Sequence, residues 1–155
     1  MQLRRLLLPL VAAVAAMGQT TTSTTTTRTS TLPPIGLASS ETAQINVVNL
    51  ATATTGGTAA SCTGSISFVN AAGTTLGTAS SFTVTSGQTF SKPLPYATTA
   101  ASGRTVVRGV VTLTSTTGSS AAPCSLAVTL ETFDTATGAT HAYIVHDEAF
   151  SAGRR

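Results

Sequence analysis

The sequence predicts an all-β domain of about seven short strands folded as a two-sheet sandwich. Three observations carry this expectation. Apolar and polar residues alternate in run after run, turn-forming Gly, Asn and Pro residues separate the runs, and no helical periodicity longer than a few residues follows the first 18 residues. Antiparallel strands with a single apolar face satisfy those faces by pairing two sheets about 10 Å apart. An open barrel is the alternative closure.

Two of the runs contain the only cysteines: Cys62-Thr63-Gly64-Ser65-Ile66-Ser67-Phe68 and Cys124-Ser125-Leu126-Ala127-Val128-Thr129-Leu130. Each cysteine stands in the apolar phase, so a disulfide between them would lie inside the core and pin two strands remote in sequence. Such a bond forms in an oxidising compartment. Closing a loop of about 60 residues stabilises a fold by about 4 kcal/mol on the chain-entropy model. Only 5% of the 155 residues are aromatic and none is Trp, so the core is expected to be valine, leucine, isoleucine and a few phenylalanines, and a covalent staple weighs more.

The chain divides into four parts. Residues 1–18 read as a signal peptide: Arg4 and Arg5 precede an apolar run from Leu6 to Met17, and small residues follow where a peptidase could cut. The run is shorter than a membrane span and contains Pro9, and no cysteine near the cut offers a lipid attachment point. Residues 19–35 read as a disordered Thr/Ser-rich linker that has almost nothing to bury and ends at Pro33-Pro34. Residues 36–147 form the sandwich domain, and residues 148–155 a flexible tail.

Within the domain, Ala43, Ile45 and Val47 share one face of the first strand, with Gln44 and Asn46 on the other. The Cys62 strand runs to Val69, turns at Asn70-Ala71-Ala72-Gly73 and returns through Leu76. Phe82 and Val84 mark a further strand, and Ser86-Gly87 leads to Thr89-Phe90-Ser91, which Lys92-Pro93-Leu94-Pro95 is expected to terminate. The long run from Val106 to Leu113 places Val107, Val111 and Leu113 inward and Arg108 outward, with Gly109 permitting a bulge or a close contact between sheets. Residues 114–123 form a flexible loop before the Cys124 strand. A turn at Asp134-Thr135-Ala136-Thr137-Gly138 and a strand at Ala142-Tyr143-Ile144-Val145 complete the last hairpin.

With Cys62 in the second strand and Cys124 in the penultimate one, this order of elements resembles the immunoglobulin-like sandwich. It departs from that family's pattern in having no core Trp and in placing Ala122 where the tyrosine corner would stand. The segments Thr42–Asn49, Ile66–Leu76 and Leu130–Gly138 are also similar to small bacterial secreted proteins of unassigned activity. That resemblance implies an immunoglobulin-like fold and brings no catalytic residue with it.

Charge narrows the function classes. Cleavage of the leader removes two of eight basic residues and leaves five acidic ones, so the formal charge falls from +3 to +1. Arg154 and Arg155 lie at the extreme tail, and no clustered positive surface is left to bind nucleic acid. No membrane association is expected after cleavage.

His141 and His146, with Asp134, Asp147 and Glu148, make the one concentration of metal-ligand residue types, but the two histidines fall in opposite phases of a strand. No metal, cofactor or catalytic residue is assigned. Ser80 and Ser81 lack the flanking glycines of a nucleophile elbow, and Gly56-Gly57 has neither the Lys nor the helix of a phosphate loop.

Three functions follow in order. The first is a secreted, non-catalytic sandwich module for cell-surface or extracellular protein interaction, or a structural role, with strand addition as its attractive mode. In that mode the Thr-rich tract lacks the large apolar residues of a donor strand. The second is an accessory carbohydrate-binding domain, which an exposed strip containing Tyr96 or Tyr143 would favour. The third is a small hydrolase, which would need His141, Asp134 and a serine to converge.

Overall fold

The computed structural model describes residues 24–52, 61–117 and 124–146. Nine strands form among them: β1 (Thr24–Thr31), β2 (Ile35–Leu37), β3 (Glu41–Asn49), β4 (Cys62–Asn70), β5 (Thr75–Val84), β6 (Thr89–Pro95), β7 (Thr105–Thr117), β8 (Leu126–Asp134) and β9 (Thr140–His146), with a single 3-10 turn at Tyr96–Thr99. One sheet has the order β1-β7-β4-β5, with β2 also on β7, and the other runs β6-β3-β8-β9. All pairings are antiparallel. The fold is an all-β sandwich of two packed sheets.

The inward residues are those that the alternation marks. Ala43, Ile45 and Val47 of β3 and Leu126, Val128 and Leu130 of β8 meet Ile66 and Phe68 of β4 and Val107, Val111 and Leu113 of β7, all of them buried. Gly109 is also buried, and a Cβ there would stand 2.6 Å from Ile45 Cδ1 of the opposite sheet and 2.9 Å from Leu32 Cδ1. Of the two roles expected for this glycine, close contact between sheets is the one it performs. Arg108 points away from the core phase, as expected, yet is half-buried, and its Nε has no hydrogen-bond partner among the described residues.

The disulfide joins Cys62 to Cys124 with a Cα–Cα separation of 5.6 Å, closing a sequence separation of 62 residues. Because Cys62 begins β4 and Cys124 lies just before β8, the bond ties one sheet to the other at the end of the sandwich. Its placement differs from expectation on one side. Cys62 is fully buried, whereas Cys124 is half-buried against the margin of the core and two residues short of the strand. The run starting at Leu126 has the register on β3 that buries Leu126, Val128 and Leu130 without it.

Four other expectations are corrected. The part of the 19–35 linker from Thr24 to Thr31 is strand β1, in register with β7 from Thr24↔Thr117 to Thr31↔Val110. The backbone of β7 offers a free ladder that any extended segment can fill, so strand formation here needs no apolar face. Leu32 and Ile35 are buried as well, which places the domain boundary before Pro33-Pro34. Residues 114–117, read as loop, continue β7 because β1 pairs with them.

Pro93 and Pro95 do not end β6 before them, since the strand runs to Pro95 with Leu94 buried. As β6 is an edge strand bonded, among the described residues, only to β3, the prolines are tolerated where no further ladder is required. Turn chemistry is as read. Gly73 and Gly87 have φ of 83° and 76°, and the Asn70 side chain accepts hydrogen bonds from the Ala72 and Thr74 amides. The signal-peptide reading of residues 1–18, the Gly56-Gly57 loop and the tail at 148–155 lie outside the described residues.

Candidate functional site

The outer face of the β6-β3-β8-β9 sheet gathers the polar side chains that the core phase leaves over. On β3, Gln44, Asn46 and Val48 alternate with buried Ala43, Ile45 and Val47. The register sets Gln44 opposite Glu131 and Pro93, and Asn46 opposite Thr129 and Ser91. Across β8, Glu131 stands beside Tyr143 and Thr129 beside Val145. The result is two transverse rows, Pro93-Gln44-Glu131-Tyr143 and Ser91-Asn46-Thr129-Val145.

A connected hydrogen-bond network orders the middle of these rows. Asn46 Nδ2 donates to Glu131 Oε1 at 2.9 Å and to Thr129 Oγ1 at 3.2 Å. Gln44 Nε2 donates to Asn46 Oδ1 at 2.9 Å and to Glu131 Oε1 at 3.3 Å, while Ser91 Oγ donates to Asn46 Oδ1 at 2.6 Å. Such a network fixes amide orientation, so the donors and acceptors left over face solvent in a set pattern.

The β9 edge of this face is apolar. Tyr143 is 57% exposed and Val145 48% exposed, and they are adjacent outward residues on a strand that, among the described residues, pairs only with β8. Tyr96, the other tyrosine considered from sequence, is not part of the face. It packs against the core, and its hydroxyl lies 2.9 Å from the Ala101 carbonyl and 2.7 Å from that of Gly103.

At the end of the same sheet, His141 Nδ1 lies 2.5 Å from Glu41 Oε1, and Glu41 Oε2 accepts from the Ala38 amide at 2.7 Å. The hydrogen bond from His141 and that from Ala38 hold the Glu41 carboxyl below its ordinary pKa, with the Arg104 charge adding to the effect. Asp134 is also lowered, chiefly by the Thr137 amide and hydroxyl, because it accepts the hydrogen bonds that close the turn before β9.

The residues read as possible metal ligands are thus distributed: His141 serves Glu41, Asp134 serves a turn, His146 lies opposite Val128 in the other phase, and Asp147 and Glu148 lie outside the described residues. Among the described residues no group of three His, Cys, Asp or Glu side chains could hold a metal ion. Ser80, on β5, accepts a 2.8 Å hydrogen bond from Lys92 Nζ and belongs to the other sheet from His141 and Asp134. An open cleft of about 400 Å³ between Pro34, Ile35, Gly36, Arg104 and Val106 carries one charged group, the Arg104 guanidinium.

Sequence reasoning singled out Tyr143 and His141 but missed Gln44, Asn46 and Glu131 as a unit. Their shared outward phase was visible in the alternation. The partnership of β3 with β8, which brings Glu131 to them, is not a local property. Among the described residues no helix is long and apolar enough to cross a membrane. The chain matches no known family model, no curated protein and no solved structure.

Proposed function

We propose that this chain is an exported, non-catalytic immunoglobulin-like module that engages a macromolecular partner at the cell surface or outside the cell, using the β9 edge and the outer face beside it. The observation that carries this reading is that Tyr143 and Val145, both about half-exposed, stand side by side on a strand whose second edge is unpaired among the described residues. Exposed aromatic and aliphatic residues next to an open ladder give a partner both apolar area and backbone hydrogen bonds. The inter-sheet disulfide supports a non-cytoplasmic compartment, and the apolar run in residues 1–18 supports export as the route to it.

The test presents the purified exported chain to intact producing cells and their extracellular fraction, alongside the Tyr143→Ser/Val145→Thr variant. Both side chains are exposed, so the variant should keep the wild-type unfolding midpoint. A partner held by the wild type and bound at least about 10-fold more weakly by the variant, a difference of about 1.4 kcal/mol, supports the reading. Equal retention by both proteins, or retention by neither, overturns it.

The ordered amide and carboxylate network beside an exposed tyrosine favours a second reading, an accessory sugar-binding domain. Planar side-chain amides and a carboxylate match vicinal hydroxyls, and an aromatic ring offers a surface for the apolar side of a pyranose. A glycan array separates the two readings. Sugar binding abolished by Asn46→Ala and by Tyr143→Ala would support it, and an unlabelled array would remove it.

A further inference from the structure

Strand β1 is attached to the sandwich in an unusual way. It pairs with β7 over eight register positions, yet Thr25 through Thr29 and Thr31 are exposed and Ser30 is only half-buried. The strand is held by its backbone ladder, by contacts at its surface such as the Thr29–Thr112 hydroxyl pair, and by what lies at its end. There Leu32 is buried, its amide donates to the Gly109 carbonyl at 2.9 Å, and its Cδ1 occupies the space above Gly109. Pro33 and Pro34 follow, both exposed, and β2 resumes the same path along β7 at Ile35↔Val107. Between Thr31↔Val110 and Ile35↔Val107 the chain advances four residues while β7 advances three.

Residues 24–32 thus form a plug-in strand: a ladder of backbone groups, one apolar anchor at Leu32 and a stiff two-proline hinge. Nothing in its outward side chains distinguishes its own β7 from the β7 of another copy. We propose that β1 is an exchangeable strand, and that segment 24–32 of one chain pairs with β7 of a second copy. The contacts made are identical in the closed and exchanged forms, so the balance is set by the effective concentration of the tethered strand and by the hinge. For a short tether that concentration is in the mM range, so the closed monomer prevails in dilute solution and exchange grows as copies are crowded together. Two consecutive prolines hold the hinge extended, which directs the strand away from its own body once it detaches.

The exchange uses the ladder of β7 that β1 covers, in the sheet that does not contain β9, and is independent of the partner face proposed above. If reciprocal it yields a closed dimer, and if each chain donates to the next it yields an open chain of copies.

The test uses the side-chain pair that already touches across the two strands, Thr29 and Thr112, whose hydroxyl oxygens are 3.1 Å apart. Full-length exported Thr29→Cys and Thr112→Cys chains are mixed at about 1 mM, equilibrated, oxidised and mapped by mass spectrometry. Neither variant can form this cross-link alone. A disulfide joining position 29 of one chain to position 112 of the other, with a yield that falls on dilution, is the expected result. The double variant Thr29→Cys/Thr112→Cys, oxidised when dilute, should close within one chain and so shows that the geometry allows the bond. The pair Thr27→Cys and Thr114→Cys, opposite each other in the same register, repeats the measurement at a second point. Cross-links absent from both mixtures, or found only between like positions, while the double variants close internally, overturn the proposal. Replacing both hinge prolines, Pro33→Ser/Pro34→Ser, should lower the mixed cross-link yield, and an unchanged or higher yield would contradict the role given to the hinge.

Discussion

Gly64 and Gly109 stand on neighbouring strands, and each leaves room for something else. A Cβ at Gly64 would run into the Thr112 backbone carbonyl and the Phe82 ring, whereas one at Gly109 would meet the methyl ends of Ile45 and Leu32. Methyl ends can shift by rotamer changes and a ladder carbonyl cannot, so the two sites should differ. Gly64→Ala is expected to lower stability by more than Gly109→Ala, with overpacking of this kind costing about 1–3 kcal/mol and occasionally more. Urea unfolding midpoints of the two variants decide it, and the reverse order would contradict the packing described.

Glu41 makes a pH prediction at the same scale. Its folded-state pKa lies below its ordinary value because His141 and the Ala38 amide bind the ionised form. A depressed carboxyl contributes stability that is complete above its ordinary pKa and is lost as pH falls through the lower, folded value. Stability should therefore decline on acidification below the ordinary carboxylate range, and Glu41→Gln should flatten part of that decline while lowering stability at neutral pH. Thermal melts across the acid range test this. An unchanged acid limb in the variant would remove Glu41 from the account.

At the scale of elements, the end of β3 is tied to the opposite sheet by one buried side chain. Asn49 Nδ2 donates to the Val84 carbonyl of β5 at 3.1 Å, and its Oδ1 accepts from the Ala51 amide at 2.9 Å. Its backbone also receives Gly87 and donates to Gln88, so the turn after β5 is docked on it. Asn49→Ala leaves a buried amide and a buried carbonyl without these partners, which costs about 1–3 kcal/mol for each unsatisfied group. Denaturant unfolding of Asn49→Ala should show a loss in that range, and a loss below about 0.5 kcal/mol would mean that water replaces the side chain.

Strand positions were legible where a residue's own neighbours decide them. Val107, Val111 and Leu113 went inward and Gly73 took its positive φ because alternation and turn chemistry are local. What was not legible depended on partners remote in sequence. The Thr tract became β1 because β7 had an unfilled ladder, and Pro93 stayed within β6 because that strand fell on an edge. Cys124 could sit outside its strand because only the sulfur, not the backbone, had to reach Cys62. For the same reason the Asn46–Glu131 network could not be assembled from the sequence, whereas the separation of His141 from His146 could.

At the scale of the molecule, two sheets share a small core of aliphatic side chains with Phe68 and Phe82 among them, and one covalent bond spans the sheets. Loop closure over the 62-residue separation implies that the bond contributes about 4 kcal/mol. The Cys62→Ala/Cys124→Ala variant should lose stability of that order, and reduction of the wild type should lower its unfolding midpoint to near that of the variant. A double variant as stable as the oxidised protein would show that the sheets hold together without the staple. Because domains are marginally stable, a loss of this size decides whether the module stays folded.

The quantity on which the fold, the compartment and the proposed role jointly depend is the oxidation state of those two sulfurs in the protein as cells make it. Thiol titration of the purified, unreduced and fully denatured chain measures it. The account predicts no reactive sulfhydryl per molecule before reduction and two after it, and two reactive sulfhydryls before reduction would contradict it.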